Sequence, residues 1–325
     1  MTRALALLAA AMIAASASAH HSSVIFDTTS VVVLSGTVTR FDWTNPHVYI
    51  YLETRDDTGG LIEWQVETDA IAILTRSGWS SDALAPGDQV TVRGNPDRNA
   101  ARDHVLLVSL GRADGSVLMP RSGGRAASVR TASIFGIWDA LRGVASRRFF
   151  YGALTEKAEA AKARYRESQN PVIDCVAYPL PTIVAAPYLN ELQLSGETII
   201  FRTEFFNVER IIHMDGRSHP ESGERTNQGH SIGWWEDDVL VVDTTLFADN
   251  RAGNRAGIPS GAQKHVVETY RLSEDGTRLL VEFIVEDPEY LAEPMTGGIE
   301  WDFAPDRELS RIDCDPEIAK RYAFE

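Results

Sequence analysis

Two patterns of apolar and polar positions divide this chain. Between residues 24 and 119, short apolar runs are separated by turn residues. The runs are Val31-Val32-Val33-Leu34 leading into Ser35-Gly36-Thr37-Val38, then Val48–Leu52, Leu61–Val66, Gln89–Gly94 and His104–Leu110. The breaks at Asp56-Asp57-Thr58-Gly59-Gly60 and Pro86-Gly87-Asp88 use the residue types whose backbones suit tight turns. Ala70–Gly78 instead has helical spacing, with Ile71 and Leu74 one turn apart and a glycine stop. Strands, one small helix, then further strands after Pro-Gly-Asp is the order of a small five-stranded OB-like barrel.

From Leu192 onward the period-two alternation returns. It predicts strands over Thr198–Val208, Gly229–Trp235, Val239–Phe247, His265–Leu272 and Arg278–Val285. Tight turns at Asp215-Gly216, Glu236-Asp237-Asp238 and Asp275-Gly276 join successive strands and favour an antiparallel barrel or curved meander. Glu156–Ser168, rich in Ala, Lys, Glu and Arg, predicts an exposed helix that must end before Asn170-Pro171. Residues 120–133 are polar, basic and glycine-rich, as in a linker. The expected fold is therefore mainly β: an N-terminal OB-like barrel over residues 20–119, a linker at 120–133, and a C-terminal antiparallel β-barrel or curved meander over 134–325, with one or two short helices.

The first residues change where this fold is expected to operate. Arg3, the apolar run Ala4–Ala15 and Ala17-Ser18-Ala19 have the layout of a secretory signal peptide. Cleavage after Ala19 predicts a periplasmic or secreted protein without a membrane span, starting His20-His21-Ser22. Lys plus Arg number 31 against 46 Asp plus Glu, a balance that argues against nucleic acid as partner. Cys175 and Cys314 read as one disulfide in an oxidising compartment, with two buried free thiols as the alternative. No Walker loop, dinucleotide fingerprint, His-Glu-x-x-His or Cys cluster occurs, so no nucleotide cofactor is expected.

The first region closely resembles a family of exported bacterial proteins, the domain of unknown function DUF6152. The resemblance rests on His20-His21-Ser22, Asn45-Pro46-His47, Trp64-Gln65-Val66-Glu67, Pro86-Gly87-Asp88 and Gly94-Asn95-Pro96. The second region resembles another group of exported bacterial proteins through Arg210–Arg217, Gly229–Glu236 and Val241–Thr245. Neither resemblance implies a nameable activity.

Two constellations can carry chemistry. His20 and His21, with the freed α-amine, and His47 form a nitrogen set suited to copper, with Asp42 and Glu67 as outer partners that orient an imidazole. The plainer alternative is a frayed terminus and a His47 that only packs after a proline turn. The second constellation gathers Arg202, Glu204, Arg210, His213, Asp215, Arg217, His219, His230, Asp243 and Glu268. Alternation puts Ile200, Arg202, Glu204, Phe206 and Val208 on one strand face and Val266, Glu268 and Tyr270 on another. An arginine, Arg202 or Arg210, opposite Glu268 would make an interior ion pair; the plainer alternative leaves Arg202 and Glu204 facing water. The leading functional reading is an exported binding protein: a copper site at the mature terminus, and a barrel cavity holding a small hydrophobic molecule near Arg202, His213, Trp235 and Asp243. The alternative is a barrel enzyme of proton-transfer type, with Glu268 or His230 as base and Arg210 stabilising negative charge. A structural or assembly protein of the envelope is the third. The enzyme reading requires Glu268, Arg210 and His230 to converge on one pocket.

Overall fold

A computed structural model describes residues 25–121, 129–140 and 147–321. The first barrel contains β1 (Val32–Asp42), β2 (Tyr49–Arg55), β3 (Leu61–Glu67), α1 (Ile71–Arg76), β4 (Gln89–Pro96) and β5 (His104–Arg112). β1 lies between β2 and β4, β5 follows β4, and β3 closes the ring by pairing in parallel with β5, Gln65 opposite His104. This is the expected OB-like order, with a short extra strand β6 (Val117–Leu118) hairpinned onto β5. The alternating apolar positions Val38, Ile50, Leu52, Val66, Val92, Val105 and Leu110 fill its centre. The register slips between Arg93 and Gly94, and a Cβ on Gly94 would lie 2.9 Å from the Val105 Cβ and 3.0 Å from the Leu106 carbonyl oxygen. Only glycine lets β4 and β5 approach so closely.

The second barrel is a ring of nine strands. They are β7 (Gly136–Asp139), β9 (Leu189–Ser195), β10 (Thr198–Thr203), β11 (Glu209–His213), β12 (His230–Glu236), β13 (Val239–Thr245), β14 (His265–Leu272), β15 (Arg278–Glu286) and β16 (Met295–Phe303). β16 pairs with β15 along its length; on its other edge it meets β7 at one end and β8 (Arg148–Phe150) at the other. The sequence pattern missed β7, which is too short to show a period, and β16, whose Gly297-Gly298 interrupts the alternation.

Two expectations for this barrel need correction. Thr198–Val208 is not one strand: after Thr203 the chain makes a 3-10 turn, with Phe206 and Asn207 in left-handed backbone, and restarts as β11. Glu204 therefore leaves the face it was expected to share with Ile200 and Arg202. Nor is the sheet wholly antiparallel, because β11 and β12 run parallel, Ile212 opposite Ser231. Parallel neighbours need a crossover, not a hairpin, so Asp215-Gly216 opens a long connection instead of a two-residue turn. The ring interior is filled by Trp138, Phe201, Tyr270 and Trp301, all fully buried.

Outside the ring, α2 (Glu156–Arg164) starts at Thr155, whose hydroxyl accepts from the Ala158 N–H, and ends four residues before the expected Ser168. The chain then turns through Pro171–Asp174 to Cys175, which forms a disulfide with Cys314 just ahead of α3 (Pro316–Arg321).

The helix α1 joins the barrels. Ile71 and Leu74, one turn apart, pack into the first barrel's core, while Ala70, Ala72 and Ile73 belong to the core of the second. At its end, the Arg76 guanidinium donates to both Glu204 carboxylate oxygens, at 3.0 and 2.7 Å. Glu204 is fully buried and also accepts from the Leu189 and Ser310 amides, which explains why it departs from its strand face.

Candidate ligand site at the seam of the barrels

The Asn45-Pro46-His47 segment builds one wall of a seam. Asn45 accepts from the Ile71 amide at 3.1 Å, capping α1, and the Asn45–Pro46 peptide is cis. His47 then directs Nδ1 to Glu67 Oε1 at 2.8 Å and to the Thr68 carbonyl at 3.0 Å. Glu67 lies 3.5 Å from His104 Nε2 through its other oxygen, and His104 Nδ1 reaches Asp97 at 3.2 Å. A carboxylate–imidazole relay, Asp97–His104–Glu67–His47, thus runs through the base of the first barrel. Burial disfavours the charged form of Glu67, but the two imidazoles outweigh it and hold its carboxyl down at about 2. Burial likewise opposes protonation of His47, and the Glu67 charge overcomes it, raising the imidazole above 6.5. Of the two carboxylates expected beside an imidazole, Glu67 contacts His47, and Asp42 pairs with Arg40. His104 escaped the sequence reading, since at the start of a strand nothing marks it as functional.

Across from His47, the second barrel contributes Arg147, Tyr178, Tyr188 and Arg255, and Arg121 reaches in from the end of the first. These residues surround a cavity of about 60 Å3. Arg121 grips Asp69 with two hydrogen bonds, at 2.7 and 2.5 Å, so the start of the expected 120–133 linker is anchored to the seam. Burial lowers Arg147 to about 9, with repulsion from Arg255 and Arg121 acting in the same sense. Arg255 is 2% exposed, and its guanidinium stacks on the Phe149 ring at 3.6 Å. These arginines sit in irregular segments, where periodicity gives no signal.

The residues expected to act in the second barrel separate onto two sides of its wall. Arg210 and Glu268 form the interior pair, 2.8 Å apart, and the Tyr270 hydroxyl donates to Glu268 at 2.7 Å. Burial pushes the Tyr270 phenol well up, and the Glu268 charge adds to it. His230 lies on the outer side, its ring stacked on His213, and it approaches His219 at 2.8 Å. His219 and His265 both contact Asp243, at 3.0 and 2.9 Å. Glu268 and Arg210 therefore do not share a pocket with His230. Arg202 is also outside, bound to Glu191 and Glu209. Trp235 is 46% exposed and meets the edge of Phe135. His20 and His21 fall outside the described residues. Among the described residues, no group of three or more His, Cys, Asp or Glu side chains is arranged to hold a metal ion.

A search of curated proteins gives no match to this chain. Residues 7–105, which take in the cis Asn45–Pro46 turn and the Glu67 relay, match the model of a family of unknown function, DUF6152.

Proposed function

We propose that this is an exported two-domain binding protein whose small-molecule ligand sits in the seam between its barrels, not inside either one. The observation that carries the reading is the seam cavity itself, to which the first barrel gives His47 and the second Tyr178, Tyr188 and Arg255. Ligand sites favour such junctions, where a few convergent polar groups line a concave space. The fully buried aromatic filling of the second barrel leaves its interior a packed core. The test is a thermal-shift panel of neutral, cationic and anionic small molecules on wild type and on Ala186→Phe, which fills the cavity. Concentration-dependent stabilisation of wild type that Ala186→Phe loses while keeping its fold by circular dichroism supports the reading. Equal responses in both, or none in either, overturn it.

A second reading makes His47 a copper donor together with a trimmed His20 terminus. What favours it is that Glu67 and the Thr68 carbonyl hold His47 through Nδ1, the outer arrangement that orients a metal-ligating imidazole through its other nitrogen. Copper(II) titration would then give tight binding only for protein beginning at His20, and not for its His47→Ala variant. Indistinguishable weak binding by both, and by untrimmed protein, removes the copper role.

A further inference from the structure

We propose that residues 215–224 form an acid-operated strap on the outer wall of the second barrel, clipped shut at neutral pH by His219 and released when His219 and His230 are both cationic. The proposal stands apart from the seam and its ligand. β11 and β12 are parallel neighbours, so the chain between them, 214–229, must cross over outside the ring. Its two ends are tied by backbone: the Met214 amide donates to the Glu197 carbonyl, and the Thr226 amide to that of Leu246. Arg225 adds bonds to the Phe247 and Ala262 carbonyls. Between Met214 and Arg225, among the described residues, His219 is the one side chain hydrogen-bonded to the wall, and it alone of residues 215–224 is not exposed. The Arg217 guanidinium instead bonds back to Asp215 within the strap.

The clip holds a single proton between two nitrogens. His219 Nε2 lies 3.0 Å from Asp243 Oδ1; an ionised carboxylate only accepts, so Nε2 carries a hydrogen. On the far side of the ring, His219 Nδ1 meets His230 Nδ1 at 2.8 Å. A contact this short needs one nitrogen donating and the other offering a lone pair. The pair is therefore neutral, with His230 donating, or singly charged, with His219 donating. A second charge sets two N–H groups head to head, and the contact is lost. The surrounding groups decide where that last proton goes. Asp243 faces His219 and also binds His265 Nε2 at 2.9 Å, while His265 Nδ1 reaches Glu286 at 3.1 Å. Burial opposes charge on His265, but these two carboxylates outweigh it and raise the imidazole above 6.5. His230 has no such partner. Burial lowers it below 6.5, and His219, His213 and Arg217 act in the same sense. His213 stacks on it with ring centroids 5.2 Å apart. Burial and then Arg217 hold His213 below 6.5 as well, against Asp215, and Glu197 faces Arg217 from the β9–β10 turn. A group whose value is lowered in the closed form takes up its proton more readily once released, so acid drives the strap open. Opening bares the stretch of wall around His213 and Asp243.

The test measures backbone amide order parameters by NMR relaxation at pH 7.5 and pH 4.5 for wild type, His230→Asn and His219→Ala, with β14 as internal reference. An asparagine amide donates to or accepts from His219 Nδ1 and does not titrate, so His230→Asn keeps the clip and removes its acid sensitivity. In wild type the amides of residues 216–224 should read about 0.85 at pH 7.5 and fall below about 0.6 at pH 4.5, while β14 stays rigid. His230→Asn should remain rigid at both values, and His219→Ala should be mobile at both. Ring-nitrogen shifts recorded on the same samples should show His219 and His230 doubly protonated together only where the strap is mobile. A wild-type strap that is still rigid at pH 4.5, or already mobile at pH 7.5, overturns the proposal. So does acid release that persists in His230→Asn. Loss of order in β14 together with the strap would be unfolding, not release, and also counts against it. Should His219→Ala fail to fold, the comparison of wild type with His230→Asn decides alone.

Discussion

Glu67 shows how one carboxylate can set the chemistry of a site. It is 5% exposed, and it holds His47 and His104 on its two oxygens. Its folded value of about 2 lies below its ordinary 4.5, so its contribution to stability is present above pH 4.5 and is lost as pH falls towards 2. His47 has the opposite sign: raised above 6.5, it contributes fully below 6.5 and less as pH climbs through its raised value. The gap in stability between wild type and Glu67→Gln should therefore be widest between about pH 4.5 and 6.5, at around 3 kcal/mol as for other broken buried pairs. Urea unfolding at pH 3, 5.5 and 8.5 reads this directly; a gap that stays constant across the three contradicts the assigned interactions. Much of this cluster was legible, because Asn45-Pro46-His47 and Trp64-x-x-Glu67 stand out as motifs. The arginines of the seam were not. Arg255 is flanked by Gly253 and Gly257 in a segment without period, and Arg121 was absorbed into a stretch that reads as linker. Their meaning comes from convergence in space, which no local spacing encodes.

Among the elements, α1 matters more than its six residues suggest. A helix in a small barrel normally presents one apolar stripe, and here two stripes face two different cores. The sequence revealed the helix through Ile71 and Leu74, but Ala70, Ala72 and Ile73 carry no sign of a second partner. The first barrel was otherwise legible, since its five long strands coincide with the apolar runs between explicit turns, and the two-residue β6 is too short to show a pattern. The second was readable where alternation lasted and failed where glycine pairs, the Glu204 turn and the β11–β12 crossover interrupted it. Gly94 tests the packing argument at this scale. Gly94→Ala should cost about 1–3 kcal/mol, as overpacking does, with the loss seen first as faster hydrogen exchange along β4 and β5. Unchanged exchange there would mean the two strands can separate without penalty.

At the scale of the whole molecule, the Cys175–Cys314 bond spans 139 residues and encloses β9 to β16. On the chain-entropy estimate it stabilises by about 4–5 kcal/mol. Paired serine replacements should lower the melting temperature by roughly 8–20 °C, taking 2–4 °C per kcal/mol for a domain of this size. Reductant should do the same to wild type and nothing further to the double variant; a response of the variant to reductant would show that it acts elsewhere. The order of strands around the second ring has its own result. Its first strand, β7, is sealed by its last, β16, so the ring stays an open sheet with two raw edges until residues near 303 have come into place. Closure is then a contact between the distant ends of a long stretch, the kind that makes a chain slow to mature. Any newly made copy must for that interval be shielded from pairing edge to edge with its neighbours.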